Sequence, residues 1–167
     1  MAIITLKGNK ANTSGELPVV GEKLKEFVLV KNDLSRITLS EFKGKKLVLN
    51  IFPSIDTSVC SASVRRFNKL AAGLENTLVL CISRDLPFAL KRFCAAEGIE
   101  NVITLSDFDK GKFGKDYGIE ILDGAFRGLL ARSVIIASEE GKIIYNQLVP
   151  DISDEPDYNK ALGAIEQ

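Results

Sequence analysis

From Lys45 onward the chain alternates between short, continuous apolar runs and longer segments whose apolar positions recur every third or fourth residue. Residues 47–52 and 77–83 read as strands buried on both faces, because neither shows a polar alternation. Residues 59–74 place Val64, Phe67, Leu70 and Ala71 on one side and Arg65, Arg66, Asn68 and Lys69 mostly elsewhere, which is the pattern of an amphipathic helix. Residues 87–97 form a second expected helix, opened by Pro87 and stopped by Gly98. A shorter strand is expected at 102–105, and a helix over 108–117 that Gly111 and Gly114 weaken. Residues 133–137 and 142–148 read as two strands joined by a Glu140-Gly141 turn, and 157–166 closes the chain as a helix.

The pattern before Lys45 is more broken. Residues 2–14 read as a short polar hairpin and 17–21 as a surface loop. Residues 27–30 and 36–39 make a strand pair, and 40–44 a single helical turn closed by Gly44. After this N-terminal β extension the order is βαβαβ(α)ββα. It predicts an α/β fold with a mixed sheet and helices on both faces. No repeat or linker divides residues 1–167, so a single domain is expected.

Composition narrows the function. Twenty-two basic residues balance 22 acidic ones, which argues against a nucleic-acid binder driven by phosphate attraction. No apolar run has the length of a membrane span, and residues 1–8 lack the basic flank and long apolar stretch of a signal peptide. A cytoplasmic protein with no membrane partner is expected. Three cysteines fit no even disulfide framework. The absence of histidine removes the Ser–His–Asp and Cys–His mechanisms and the commonest metal ligand. No zinc-type cysteine spacing occurs, so no metal is expected.

Against that background Cys60 draws attention. It follows an apolar strand and opens a helix, where unpaired backbone N–H groups and the helix dipole favour negative charge. A thiol in such a place gives up its proton more easily, and the thiolate is the nucleophile. With no histidine, the candidates to activate it are the helix N-terminus and an arginine. Thr57, three residues earlier, has a hydroxyl able to fold back towards the sulfur, and Asp56 or Ser58 is a candidate helix cap. Cys81 lies within a buried strand and reads as a small core hydrophobe. An oxidised Cys60 needs an outside thiol or a second cysteine to resolve it, and Cys94 remains once Cys81 is assigned to the core. Arg132, at the entry to the 133–137 strand, reads as a solvated strand-end charge. If it faces Cys60 instead, its fixed charge and forked donors suit a thiolate and an oxygen substrate.

Pro53, Thr57 and Cys60 form a Pro-x-x-x-Thr-x-x-Cys motif that resembles the signature of peroxiredoxins. The surrounding residues 50–68, with 79–89, 92–98, 147–149 and 155–158, are similar to the bacterial thiol peroxidase subfamily, the atypical 2-Cys peroxiredoxins. This resemblance covers nearly the whole chain. It implies a thioredoxin-like fold with an N-terminal β-hairpin. It further implies that Cys60 is the peroxidatic cysteine and Cys94 the resolving one, joined in an intramolecular disulfide. Thr57 and Arg132 match residues that bind peroxide and activate the thiolate, and Pro53 matches one that shields the site from water. The implied substrates are hydrogen peroxide and organic hydroperoxides, the reductant thioredoxin, and the assembly a homodimer, with no cofactor because sulfur carries the oxidation change. The competing readings are a protein thiol–disulfide oxidoreductase, which the lack of Cys-x-x-Cys disfavours, and a redox sensor without turnover. Phe27, Phe42, Leu86, Phe88 and Ile121 are candidates to line an alkyl pocket, although core packing explains them as well.

Overall fold

The computed structural model describes residues 1–166. Ile3–Leu6 (β1) and Asn9–Asn12 (β2) pair antiparallel as a hairpin outside the main sheet. Val28–Val30 (β3) and Arg36–Thr38 (β4) form a second antiparallel pair, followed by a 3-10 turn at Leu39–Phe42. The chain then runs through Lys46–Ile51 (β5), Ser58–Ala71 (α1), Thr77–Ser83 (β6), Pro87–Glu97 (α2) and Ile103–Ser106 (β7). It ends with Lys112–Asp116 (α3), Ser133–Ala137 (β8), Ile143–Leu148 (β9) and Tyr158–Ile165 (α4). The seven-stranded sheet has the order β4-β3-β7-β6-β5-β8-β9. β5, β6 and β7 are mutually parallel, whereas β8 runs antiparallel to β5 and β9 to β8, so the sheet is mixed as the element order predicts. α1 and α2 are the two crossover helices that parallel neighbours require.

Each central strand feeds two cores, because successive side chains point to opposite faces. Leu47, Leu49 and Ile51 of β5 join one apolar cluster with Leu80, Ile82, Leu105, Phe113, Tyr117 and Ile4 of the hairpin. Val48 joins the other, with Val79, Cys81, Val134, Ile136 and the inner faces of α1, α2 and α4. This accounts for the lack of polar alternation in β5 and β6: both faces are covered.

The 108–117 expectation is corrected. The helix there is only Lys112–Asp116, because Gly111 stands at φ +65° and a right-handed helix cannot run through it. The Asp107 carboxylate accepts hydrogen bonds from the N–H groups of Phe113 (3.1 Å) and Gly114 (3.0 Å), which fixes the helix start late. Gly111 and Gly114 also leave the room that the Arg84 guanidinium occupies.

Cys81 is fully buried in β6, and burial pushes its thiol up to about 12. The Asn50 amide donates towards it, with Nδ2 3.7 Å from the sulfur. Such a thiol stays protonated and packs as an apolar group. Cys81→Ser should therefore cost about 1–3 kcal/mol of stability, from a buried hydroxyl with imperfect partners. A lowered urea midpoint with unchanged peroxide turnover is the expected result; lost turnover in a folded variant would contradict it.

Candidate active site

β5 ends at Ile51, and Phe52 continues the strand direction by donating its N–H to the Ile82 carbonyl at 3.1 Å. Phe52 and Pro53 are buried. Pro53 then turns the chain off the sheet, since it has no N–H to extend the ladder. The loop from 53 to 57 folds upon Ser54: its carbonyl accepts both the Thr57 N–H (3.1 Å) and the Thr57 hydroxyl (3.0 Å). The Asp85 carboxylate grips the same loop from the end of β6. It accepts the Ser54 hydroxyl at 2.8 Å, the Ile55 N–H at 2.7 Å and the Ser83 hydroxyl at 2.6 Å.

Thr57 is the N-cap residue of α1, with extended backbone and no capping bond from its side chain. The expectation that Asp56 or Ser58 caps this helix is corrected: Asp56 is exposed and lies 3.6 Å from Arg92, and Ser58 is already helical. Thr57 sits in the predicted place, but its hydroxyl donates to Ser54 rather than to the sulfur. Cys60 is the third residue of α1 and is fully buried beneath the loop.

Arg132 immediately precedes β8, the antiparallel neighbour of β5, which carries it to the same end of the sheet as the Cys60 loop. Its reading as a solvated charge is overturned, because it is only 1% exposed. Its Nε and Nη2 donate to the Ile152 carbonyl at 3.0 and 2.9 Å, and Nη2 also reaches the Cys60 sulfur at 3.2 Å. Nη1 is buried and has no hydrogen-bond partner among the described residues. None of the ion pairs among those residues includes Arg132. A buried cation without a counter-charge is costly, and of the groups it hydrogen-bonds only the Cys60 sulfur can become an anion. The geometry thus sets a fixed positive charge against the sulfur and leaves Nη1 as an unspent buried donor.

Cys94 lies on α2, half-buried against the cluster that contains Cys60, with its sulfur 3.7 Å from the Thr104 hydroxyl. All three cysteines are free thiols. The five suggested pocket residues do not converge. Phe27, Phe42 and Ile121 are core, while Leu86 and Phe88 are exposed beside the start of α2. A cavity of about 490 Å³ does involve Phe27, with Val28, Val30 and Phe113, but Pro53, Thr57, Cys60 and Arg132 are not among its lining residues. Sequence reasoning missed Asp85 and the Ile152 carbonyl. Asp85 carried a weak signal, standing at the end of a buried strand, where ligand-facing loops of such sheets gather. Among the described residues no cluster of three or more His, Cys, Asp or Glu could hold a metal ion, and no helix is long and apolar enough to cross a membrane.

A thioredoxin-like mixed sheet that presents a buried helix-start cysteine to an arginine defines a thiol-based redox protein. The Redoxin family model matches residues 19–162. The thiol peroxidase of Corynebacterium glutamicum is 58% identical over 165 residues, covering 99% of both chains, and that of Mycobacterium tuberculosis is 52% identical with the same coverage. The crystal structure of a peroxiredoxin-like protein from Aquifex aeolicus superposes with a TM-score of 0.93 at 40% identity, covering 99% of this chain and 96% of that one. A thiol peroxidase from Chromobacterium violaceum shares the fold at a TM-score of 0.91, with 19% identity and coverage of 98% and 95%. The chain belongs to the Redoxin family and is a thiol-dependent peroxidase of the peroxiredoxin kind.

Proposed function

We propose that Cys60 is the peroxidatic cysteine, Cys94 the resolving cysteine, and Arg132, Thr57 and Pro53 the residues that complete the peroxide site. The observation that carries this reading is the Arg132 guanidinium, 3.2 Å from the Cys60 sulfur with its Nη1 donor unspent. The Cys60 thiolate attacks the nearer peroxide oxygen in line with the O–O bond. The S–O bond forms as the O–O bond breaks, and water or an alcohol leaves after taking up a proton. Negative charge grows on both oxygens, where Nη1 of Arg132 and the first-turn N–H groups of α1 can stabilise it. The Thr57 hydroxyl, which donates to Ser54, keeps its lone pairs free to accept the peroxide proton. Pro53, buried and without an N–H, keeps water from the sulfur.

The sulfenic acid on Cys60 is then attacked by the Cys94 thiolate, which forms the disulfide and releases water. An external dithiol, thioredoxin, reduces the disulfide by exchange. The resemblance also supports a homodimer and a cytoplasmic location. Both cysteines lie inside helices, whereas a disulfide needs Cα atoms within about 7 Å. Residues held in two separate helices rarely meet that requirement without backbone movement, so the proposed cycle has at least one helix loosen around its cysteine on oxidation. Amide exchange should speed up near Cys60 or Cys94 in oxidised wild type and not in Cys94→Ser. That variant should still consume one equivalent of peroxide, yet fail to cycle through an internal disulfide. Steady turnover by Cys94→Ser at the wild-type rate would contradict the assignment of the resolving thiol.

A further inference from the structure

The Ile152 carbonyl does more than satisfy Arg132. It accepts from Nε and Nη2 together, so its position sets the plane of the guanidinium and the line from Nη2 to the Cys60 sulfur. Yet Ile152 lies in the segment between β9 and α4, outside the seven-stranded sheet. That segment is held from two sides. The Val149 N–H donates to the Arg132 carbonyl at 3.0 Å. From the other side comes the N-terminal hairpin. Thr5 pairs with Asp151 in a parallel bridge, in which the Thr5 N–H donates to the Pro150 carbonyl and the Ile152 N–H donates to the Thr5 carbonyl, each at 2.8 Å.

The Asp151 carboxylate locks this bridge. It accepts the Thr5 hydroxyl at 2.6 Å, the Gly8 N–H at 3.2 Å and the Lys7 N–H at 3.3 Å from the hairpin, and the Ser153 N–H at 2.8 Å from its own turn. Hydrogen bonds from Ser153 and then Thr5 hold this carboxyl well below the usual carboxylate range, so it accepts all of them as an anion. Ile152 and Ile4 bury their side chains in the same apolar cluster, which ties hairpin and segment together below the polar layer.

We propose that the N-terminal hairpin is a positioning element for catalysis, in which Thr5 and Asp151 fix the Ile152 carbonyl that aims Arg132 at Cys60. Neither residue touches the reacting atoms; both act through the carbonyl. The inference rests on the reading of Arg132 and Cys60 given above.

The test compares Asp151→Ala, Thr5→Val and Thr5→Ser with Asp123→Ala and Arg132→Gln. Asp123 holds the other end of the hairpin through the Asn12 N–H (2.8 Å) and Asn12 Nδ2 (2.9 Å), and none of its hydrogen bonds among the described residues goes to 149–153. The readouts are the second-order rate constant for peroxide, the pH profile of Cys60 alkylation by iodoacetamide, and the melting temperature. Asp151→Ala should lose roughly tenfold to a hundredfold in the rate constant, as a displaced catalytic group does. Thr5→Val should lose less, and Thr5→Ser should restore the rate. The alkylation profile of Asp151→Ala should move in the same direction as that of Arg132→Gln. Asp123→Ala should stay within about twofold of wild type in rate, as expected of a site with no shared partners. Asp151→Ala and Thr5→Val with wild-type rates and profiles, beside a disabled Arg132→Gln, would overturn the hairpin inference alone. A fully active Arg132→Gln would overturn the reading beneath it. Should Asp151→Ala fail to fold, the Thr5→Val and Thr5→Ser pair decides: equal rates for the two reject the proposal.

Discussion

Cys60→Ser should reduce peroxide turnover to the uncatalysed level while leaving the chain folded. The serine hydroxyl is isosteric enough to sit in the same closed space at the start of α1, where the sulfur is fully buried. It fails for two separate reasons. An alcohol remains protonated at neutral pH, so no anion forms beside Arg132. Oxygen, moreover, cannot be carried to a stable counterpart of the sulfenic acid, so there is nothing for Cys94 to attack. Neither remaining thiol can substitute. Cys81 is enclosed in the sheet with its thiol pushed up to about 12, and Cys94 is placed against Thr104 rather than against the arginine. Peroxide consumption in the presence of thioredoxin and its reductase reads the effect directly. Residual turnover near the wild-type value would exclude Cys60 as the nucleophile.

Arg132→Gln should lower the second-order rate constant for peroxide by roughly 10²–10³, the cost of removing an oriented donor from a site of developing negative charge. The substitution removes the positive charge beside the sulfur and, with it, the unspent Nη1 donor. Arg132→Lys should recover only part of the loss. A lysine ammonium restores charge but cannot fork onto the Ile152 carbonyl while also presenting a flat edge to sulfur and substrate. Stability should fall far less than activity, because no carboxylate is left unpaired when the guanidinium goes. Stopped-flow oxidation rates set beside thermal melts separate the two effects. A rate loss explained wholly by unfolded protein would contradict the electrostatic role.

How far the sequence reached depended on the range of the interactions involved. The strands β5, β6, β8 and β9 and the helices α1, α2 and α4 were legible because burial on two faces or on one helical stripe writes itself into neighbouring residues. The start of α1 beside Cys60 was legible for the same reason, since an apolar run gives way to polar turn residues just before it. The expected 108–117 helix is longer than the observed α3, because Gly111 adopts a positive φ and Asp107 binds the N–H groups of Phe113 and Gly114, so the helix starts late.

Arg132 was recognised as a candidate, but its burial was not legible. A strand-entry arginine is ordinarily solvated, whereas this one is buried with its guanidinium bonded to the Ile152 carbonyl of a distant segment. The contacts that set its aim join residues far apart in the chain. The Thr5 hydroxyl meets Asp151 across a separation of 146 positions, and Ser54 meets Asp85 across 31. A polar side chain carries no local mark of so distant a partner, so the Ile152 carbonyl emerged only from the fold, and Asp85 had no more than its place at a strand end to suggest it. The choice between alkyl pocket and core was not legible for the converse reason, because apolar residues look alike in sequence whether they fill a core, as Phe27, Phe42 and Ile121 do, or stand exposed, as Leu86 and Phe88 do.

The most direct test of the account locates the first oxygen transferred. Reduced Cys94→Ser protein is treated with one equivalent of hydrogen peroxide in the presence of dimedone, and the cysteine peptides are analysed by mass spectrometry. The account predicts a single sulfenic-acid adduct on Cys60, lost when Arg132→Gln is added at the same reaction time. An adduct on Cys81, or peroxide consumed with Cys60 unmodified, would contradict it.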